Sequence, residues 1–161
     1  SSRVIRVSRS DLLACCRGRI VLQYVGFTMN QLPKFKNAAL LQQALTHRSL
    51  PNHNEQLEFL GDGILQGAVT GLLYQRFPNC SEGVLTEKRK ALVRNAALAK
   101  VARRLQLGPK LRLDTNSERQ GCRTNPRILS GAVEAIIGAY FLDSGSDFKA
   151  VERYIKQLMS L

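Results

Sequence analysis

Three carboxylates crowd into the stretch Asn54–Leu65, N-E-Q-L-E-F-L-G-D-G-I-L: Glu55, Glu58 and Asp62. Glu58 and Asp62 are four residues apart, so on a helix they lie one turn apart on one face. Like charges at that spacing repel and weaken a helix slightly. Leu57, Leu60, Ile64 and Leu65 form an apolar stripe beside them. Acids beside such a stripe suit one of two roles: oxygen ligands sharing a hard cation, or the solvated face of an amphipathic helix. A further carboxylate, Glu134, is the only acid in the run S-G-A-V-E-A-I-I-G-A. Val133, Ala135, Ile136 and Ile137 around it mark a largely buried helix. An isolated buried carboxylate is costly and tends to neutralise unless it finds a partner. The candidates are a salt bridge, with Arg127 or with a lysine of the 86–94 stretch, and a metal. If the two helices meet, Glu58, Asp62 and Glu134 come to one point. Mg²⁺, which keeps several waters, satisfies such a cluster and lowers the pKa of a bound water; Mn²⁺ is an alternative. A basic surface around the cluster would hold phosphates. The reaction class is then metal-assisted phosphodiester hydrolysis.

The charge balance agrees. Lys and Arg number 24 against 12 acids in 161 residues, a net charge of +12. That favours a polyanion, nucleic acid before membrane. Six Phe, four Tyr and no Trp make a poor base-stacking platform for single strands. Backbone recognition of a duplex fits better. The four cysteines, at 15, 16, 80 and 122, include no C-x-x-C, and the histidines are His47 and His53. Zinc is therefore disfavoured. The scatter suggests free thiols in a reducing compartment. The longest apolar run falls far short of a membrane span.

The elements that must position these acids read as helices throughout. Asn37 caps a helix over 38–47, with Leu40, Leu41, Ala44 and Leu45 at helical spacing. Asn54 caps a long helix running to Phe77, which Pro78 stops. Gly63, Gly67 and Gly71 share one face of it, where another backbone would approach closely, inside the domain or from a second copy. Residues 81–85 read as a turn, after which Thr86 caps T-E-K-R-K-A-L-V-R, the densest positive cluster. Asn95 caps the next helix, with Leu98, Val101, Ala102 and Leu105 inward, and Gly108-Pro109 ends it. Residues 111–124 are polar and aperiodic, a surface loop. Pro126 opens a helix to Leu142 burying Ile128, Leu129, Ala132, Ile136 and Ala139. Asp147 caps the last, with Phe148, Val151, Tyr154, Ile155 and Leu158 inward. The fold class is all-α, one domain over residues 29–161. Residues 1–28 hold five of the Arg, four Ser and one acid, Asp11, which leaves nineteen basic side chains against eleven acids in the domain. This extension resembles the tail of a transit peptide, and equally a basic arm or vector-derived sequence ahead of a start at Met29. The location is cytoplasmic, or a plastid or other organelle if the extension is a transit segment.

The stretch N-E-Q-L-E-F-L-G-D-G-I-L resembles the ribonuclease III endonuclease-domain signature N-E-R-L-E-F-L-G-D-[SA]-V-L. Leu41–Ser49 is similar to that family's A-L-T-H-R-S helix, and Glu82–Val93 to its L-[ST]-x-x-R-x-x-L-V helix. Asn125–Gly145, N-P-R-I-L-S-G-A-V-E-A-I-I-G-A-Y-F-L-D-S-G, resembles its final motif, in wording of a cyanobacterial or plastid type. The four motifs follow in the family order across 35–161. The resemblance implies an all-α homodimer. Each subunit would hold an acidic Mg²⁺ site, and the pair would cut both strands of double-stranded RNA in RNA processing, ribosomal RNA included. It assigns Glu58, Asp62 and Glu134 as catalytic metal ligands. It places Glu55, with Lys88, Arg89 and Lys90, near the site and the RNA. It puts Phe59, Leu60 and Gly61 in the dimer interface. Two positions depart from the pattern. The final motif usually carries Asp three residues before its Glu, where this chain has Gly131. Gln56 stands where Arg is usual. Family members usually append a double-stranded-RNA-binding domain; with the sequence ending at Leu161, the expectation is either a single-domain form or a sequence that stops at the domain boundary. The alternative is a catalytically impaired relative that binds structured RNA, in splicing or ribosome assembly.

Overall fold

Apolar residues recurring every three to four positions build a wholly helical architecture among the described residues, 31–161 of the computed structural model. The 1–28 extension, with Cys15 and Cys16, lies outside the described residues, as does Met29. In chain order the α-helices are α1 (Ala38–Ala44), α2 (Glu55–Arg76), α3 (Glu82–Val93), α4 (Asn95–Arg104), α5 (Leu107–Lys110), α6 (Thr115–Arg119), α7 (Pro126–Asp143) and α8 (Phe148–Met159). A 3₁₀ turn, Cys122–Thr124, precedes α7. The only β pairing among them is one isolated bridge, Thr46 to Arg112.

Helix α7 is the hub. Ten consecutive apolar or small residues, Leu129 to Ala139 with only Glu134 interrupting, are buried along it. It packs most extensively on α2 and then on α4, with α1 and α8 completing the cover. Leu65, Leu98, Ile136, Ile137, Ile155 and Leu158 are almost entirely shielded from water. Each such side chain contributes about 1.5–3 kcal/mol over its exposed state. At the start of α7, Asn125 accepts the Arg127 N–H at 2.9 Å and Pro126 fills the first turn. At its end, Asp143 accepts the backbone N–H groups of Lys36 and Asn37 at 2.8 and 2.7 Å, tying the incoming chain to the hub. Asp147 caps α8 by accepting the Ala150 N–H at 3.1 Å.

Several boundaries differ from the sequence expectation. Helix α1 stops at Ala44 rather than His47, because residues 45–47 pair with the 112 segment: the His47 N–H reaches Arg112 O, and the Arg112 N–H reaches Leu45 O. Asn54 precedes α2 but its side chain does not cap it. Its amide is buried and donates to Ala44 O at 3.2 Å. The turn expected at 81–85 is helix, since α3 begins at Glu82, and Thr86 donates instead to the Glu82 carboxylate at 2.9 Å. Asn95 is the first residue of α4, not its cap, and accepts from Ser130 Oγ at 3.2 Å. Gly108-Pro109 sits within α5, where a side chain at Gly108 would meet the Arg123 carbonyl.

The stretch 111–124 is not a loose loop. Leu111, Ser117 and Cys122 are buried in it, and Arg123 holds it by donating to the carbonyls of Gly108 and Leu111 and to the Glu118 carboxylate. On α8, Phe148 is 42 % exposed rather than inward. Its ring covers Gly67, while Gly71 faces Glu152 and Gly63 faces open space. Cys122 is a buried free thiol, whereas Cys80 is disulfide-bonded, which corrects the free-thiol expectation at that position.

Candidate active site

Two glycines set the geometry of the acid cluster. A side chain at Gly61 on α2 would run into the Glu134 carbonyl of α7, and one at Gly138 on α7 into the Leu57 carbonyl of α2. The helices therefore meet backbone to backbone, as only glycine permits. Glu58 precedes Gly61 by one turn, and Glu134 precedes Gly138 by one turn. The crossing thus draws the two carboxylates to the same side.

Charge and burial follow from that placement. The Glu134 carboxyl is pushed up to about 8, first by burial and then by the negative fields of Asp62 and Glu58. No ion pair or hydrogen bond reaches its side chain among the described residues, and neither Arg127 nor a lysine of α3 compensates it. The Glu58 carboxyl is also raised, by burial and then by Glu55. Arg127 and Arg48 pull it back down, and Asp62 adds a smaller upward push. Asp62 is exposed, with Oδ1 accepting from Gln66 Nε2 at 3.3 Å. Glu55 is exposed and turned to other partners, 3.6 Å from His53 Nδ1 and 4.0 Å from Arg48 Nη1.

Gly131 has a definite structural consequence. A Cβ there would lie 2.5 Å from Glu58 Oε2, so the Glu58 carboxylate occupies the room a side chain at 131 would need. Arg127, Gly131 and Glu134 follow at i, i+4 and i+7, one face of α7. That spacing is the signal by which Arg127 is legible as a neighbour of the cluster, although its field falls on Glu58 rather than on Glu134. Arg48, in the break before α2, carries no such signal.

Whether the residues suit a metal has a mixed answer. Among the described residues no three Asp, Glu, His or Cys groups already stand close enough to enclose an ion. Yet the donors are hard oxygens, and Glu134 is half-buried beside two acids with no countercharge. A cation that keeps part of its water shell fits such a site.

The basic trio lies elsewhere. Arg89 donates to Thr70 Oγ1 at 3.1 Å, Lys90 pairs with Glu87 at 2.8 Å, and Lys88 sits over the Phe77 ring at 4.6 Å from its centroid. Thr70 follows Glu58 by twelve residues, about 18 Å along α2 at the α-helical rise. Of the expected interface residues, Phe59 projects from α2 at 84 % exposure and Leu60 is half-buried. Gly61 is consumed by the contact with α7.

A Ribonuclease-III-like family model matches residues 37–160. The chain belongs to the ribonuclease-III-like family. Among curated relatives, Ribonuclease 3 of Bordetella petrii is 51 % identical over 115 residues, 71 % of this chain and 46 % of that protein. Ribonuclease 3 of Bordetella avium is 48 % identical over 124 residues, 76 % of this chain and 49 % of that protein. The chain thus spans about half the length of these ribonuclease III relatives. Among solved structures, the nuclease domain of ribonuclease III from Campylobacter jejuni superposes with a TM-score of 0.75 at 40 % identity, covering 78 % of this chain and 88 % of that one. Dicer from Pichia stipitis superposes with a TM-score of 0.64 at 30 % identity, covering 80 % of this chain and 56 % of that one. The all-α ribonuclease III fold expected from the sequence is the fold observed.

Proposed function

We propose that this chain is the catalytic domain of a Mg²⁺-dependent endoribonuclease that cuts double-stranded RNA in RNA processing. The observation that carries the reading is Glu134, half-buried beside Glu58 and Asp62 without a countercharge, in a family whose curated relatives bear the name Ribonuclease 3. Glu58, Asp62 and Glu134 would hold Mg²⁺, or Mn²⁺, through oxygen ligands and retained water. When bound, the metal supplies Lewis acidity at phosphorus and a water of lowered pKa. The residues of the chain do the rest. Glu134 would give up its proton to serve as a ligand, and Asp62 is steered by Gln66. Arg48 and Arg127, close enough for their fields to reach Glu58, hold the phosphate of the duplex. Phe59, exposed on α2 next to Glu58, offers an apolar contact for a second subunit. The related Campylobacter jejuni structure is described by a region involved in dimer formation, which supports a homodimer.

Gly131 favours a second reading, an RNA-binding domain that no longer cuts. The test is a perfect RNA duplex incubated with Mg²⁺ and the unsubstituted protein, beside Glu134→Ala and Gly131→Asp. Cleavage by the unsubstituted protein that disappears in Glu134→Ala supports the enzyme. Cleavage only after Gly131→Asp, with duplex affinity equal in both, would sink it in favour of the binding domain.

A further inference from the structure

At the far end of α2 from the carboxylates lies a pocket of about 610 Å³ between α2, α3, α4 and the end of α8. Leu73 to Phe77 follow Glu58 by fifteen to nineteen residues, about 22–28 Å along the helix. The pocket is therefore separate from the acid cluster. Its floor is apolar, built from Leu73, Leu92, Val101 and Met159 among others. Its rim is cationic: Arg76, Lys88, Arg94, Lys100 and Arg104 all line it, and no acid does. Among the described residues none of the five forms an ion pair. The Arg104 guanidinium is only half committed. Its Nη2 donates to the Leu158 carbonyl, while its Nε is buried without an acceptor.

We propose that this pocket docks an acidic peptide segment of a partner protein, with a bulky aliphatic or aromatic side chain seated on the apolar floor and carboxylates on the cationic rim. Charge complementarity selects this occupant. Five cations without an ion pair disfavour a second copy of a chain with net charge +12. A nucleic-acid duplex would bring phosphates to the cationic rim but nothing apolar to fill the floor of Leu73, Leu92, Val101 and Met159. The one aromatic ring on the pocket wall, Phe77, already has Lys88 and Arg76 against it, at 4.6 and 5.9 Å from the centroid. A mainly aliphatic floor below a ring of charges matches an apolar anchor flanked by Asp or Glu.

The test uses a fluorescent synthetic peptide of Glu with interspersed Leu and Phe, read by anisotropy against the full 161-residue chain. A control peptide has its Leu and Phe replaced by Ser. The double variant Arg76→Glu/Lys100→Glu changes two exposed rim residues. We expect it to weaken binding by about tenfold or more, as charge reversal at an interface does, while Lys149→Glu, on the exposed surface of α8, leaves affinity unchanged. Methyl resonances of Met159 and Leu73 shift on peptide addition if the floor is the seat. Equal affinity for the control peptide, or shifts confined to other methyls, overturns the proposal. Displacement of the peptide by RNA, with the same loss in the double variant, overturns it in favour of a nucleic-acid subsite.

Discussion

Replacing Glu134 with Gln isolates the electrostatic state of the acid cluster without altering its shape. The folded protein holds the Glu134 carboxyl at about 8, against an ordinary value near 4.5. Because the folded value is the higher one, the folded state binds the proton more tightly than the unfolded chain does. Its contribution to stability is complete below pH 4.5 and is lost progressively as pH rises towards 8. At about 1.4 kcal/mol per unit, the displacement has a ceiling of about 5 kcal/mol. Solvent reaches part of the side chain, and screening reduces this to about 2–3 kcal/mol. Gln cannot ionise, so the variant escapes the loss. In metal-free buffer the two proteins should melt together at pH 5. At pH 9 the variant should be the more stable by those 2–3 kcal/mol, a gap of roughly 5–10 °C in Tm for a domain of this size. Urea titrations across pH 5–9 give the free energies directly. Parallel stability curves for the two proteins over that range would refute the reasoning, since Glu134 would then have no excess proton affinity to lose.

Gly61→Ala and Gly138→Ala should each cost about 3 kcal/mol or more, above the usual range for overpacking, because the added methyl meets a backbone carbonyl that cannot rotate away; chemical denaturation checks this, and a cost below 1 kcal/mol would argue against the backbone contact. Asn54→Ala should cost about 1–3 kcal/mol by leaving the buried Ala44 carbonyl without its donor, measurable in the same assay. Tyr154→Phe should be neutral or stabilising by up to about 1 kcal/mol, since its buried hydroxyl has no partner to lose; a marked fall in Tm would disagree.

Much of this architecture is legible in the residues. The apolar spacing in α4, α7 and α8 identifies the inward faces, and Asn37, Asn125 and Asp147 act as the caps their types suggest. What escapes is non-local. Residues 45–47 have a helical pattern but pair with the segment around Arg112, sixty-odd positions away, and no local propensity encodes that. Within the domain, the regular Gly63, Gly67 and Gly71 face is not where a backbone approaches. The tight contact falls on Gly61 and Gly138, which no single-helix periodicity links. At the site, Glu58, Asp62 and Glu134 are recognisable as acids without nearby cations in sequence. That Glu55 turns to His53 and Arg48, and that the α3 cations lie well along α2, depend on helix length and side-chain direction rather than on motif.

The glycine crossing divides the molecule's labour in a way that matters for what it can become. The separation of the two helices is fixed by backbone atoms, so the acids hang from a frame they do not help to build. Substitutions at 58, 62, 131 or 134 therefore change the charge and shape of the cluster while the frame persists, whereas substitutions at 61 or 138 threaten the frame itself. A scaffold of this kind lets its acids be exchanged one at a time.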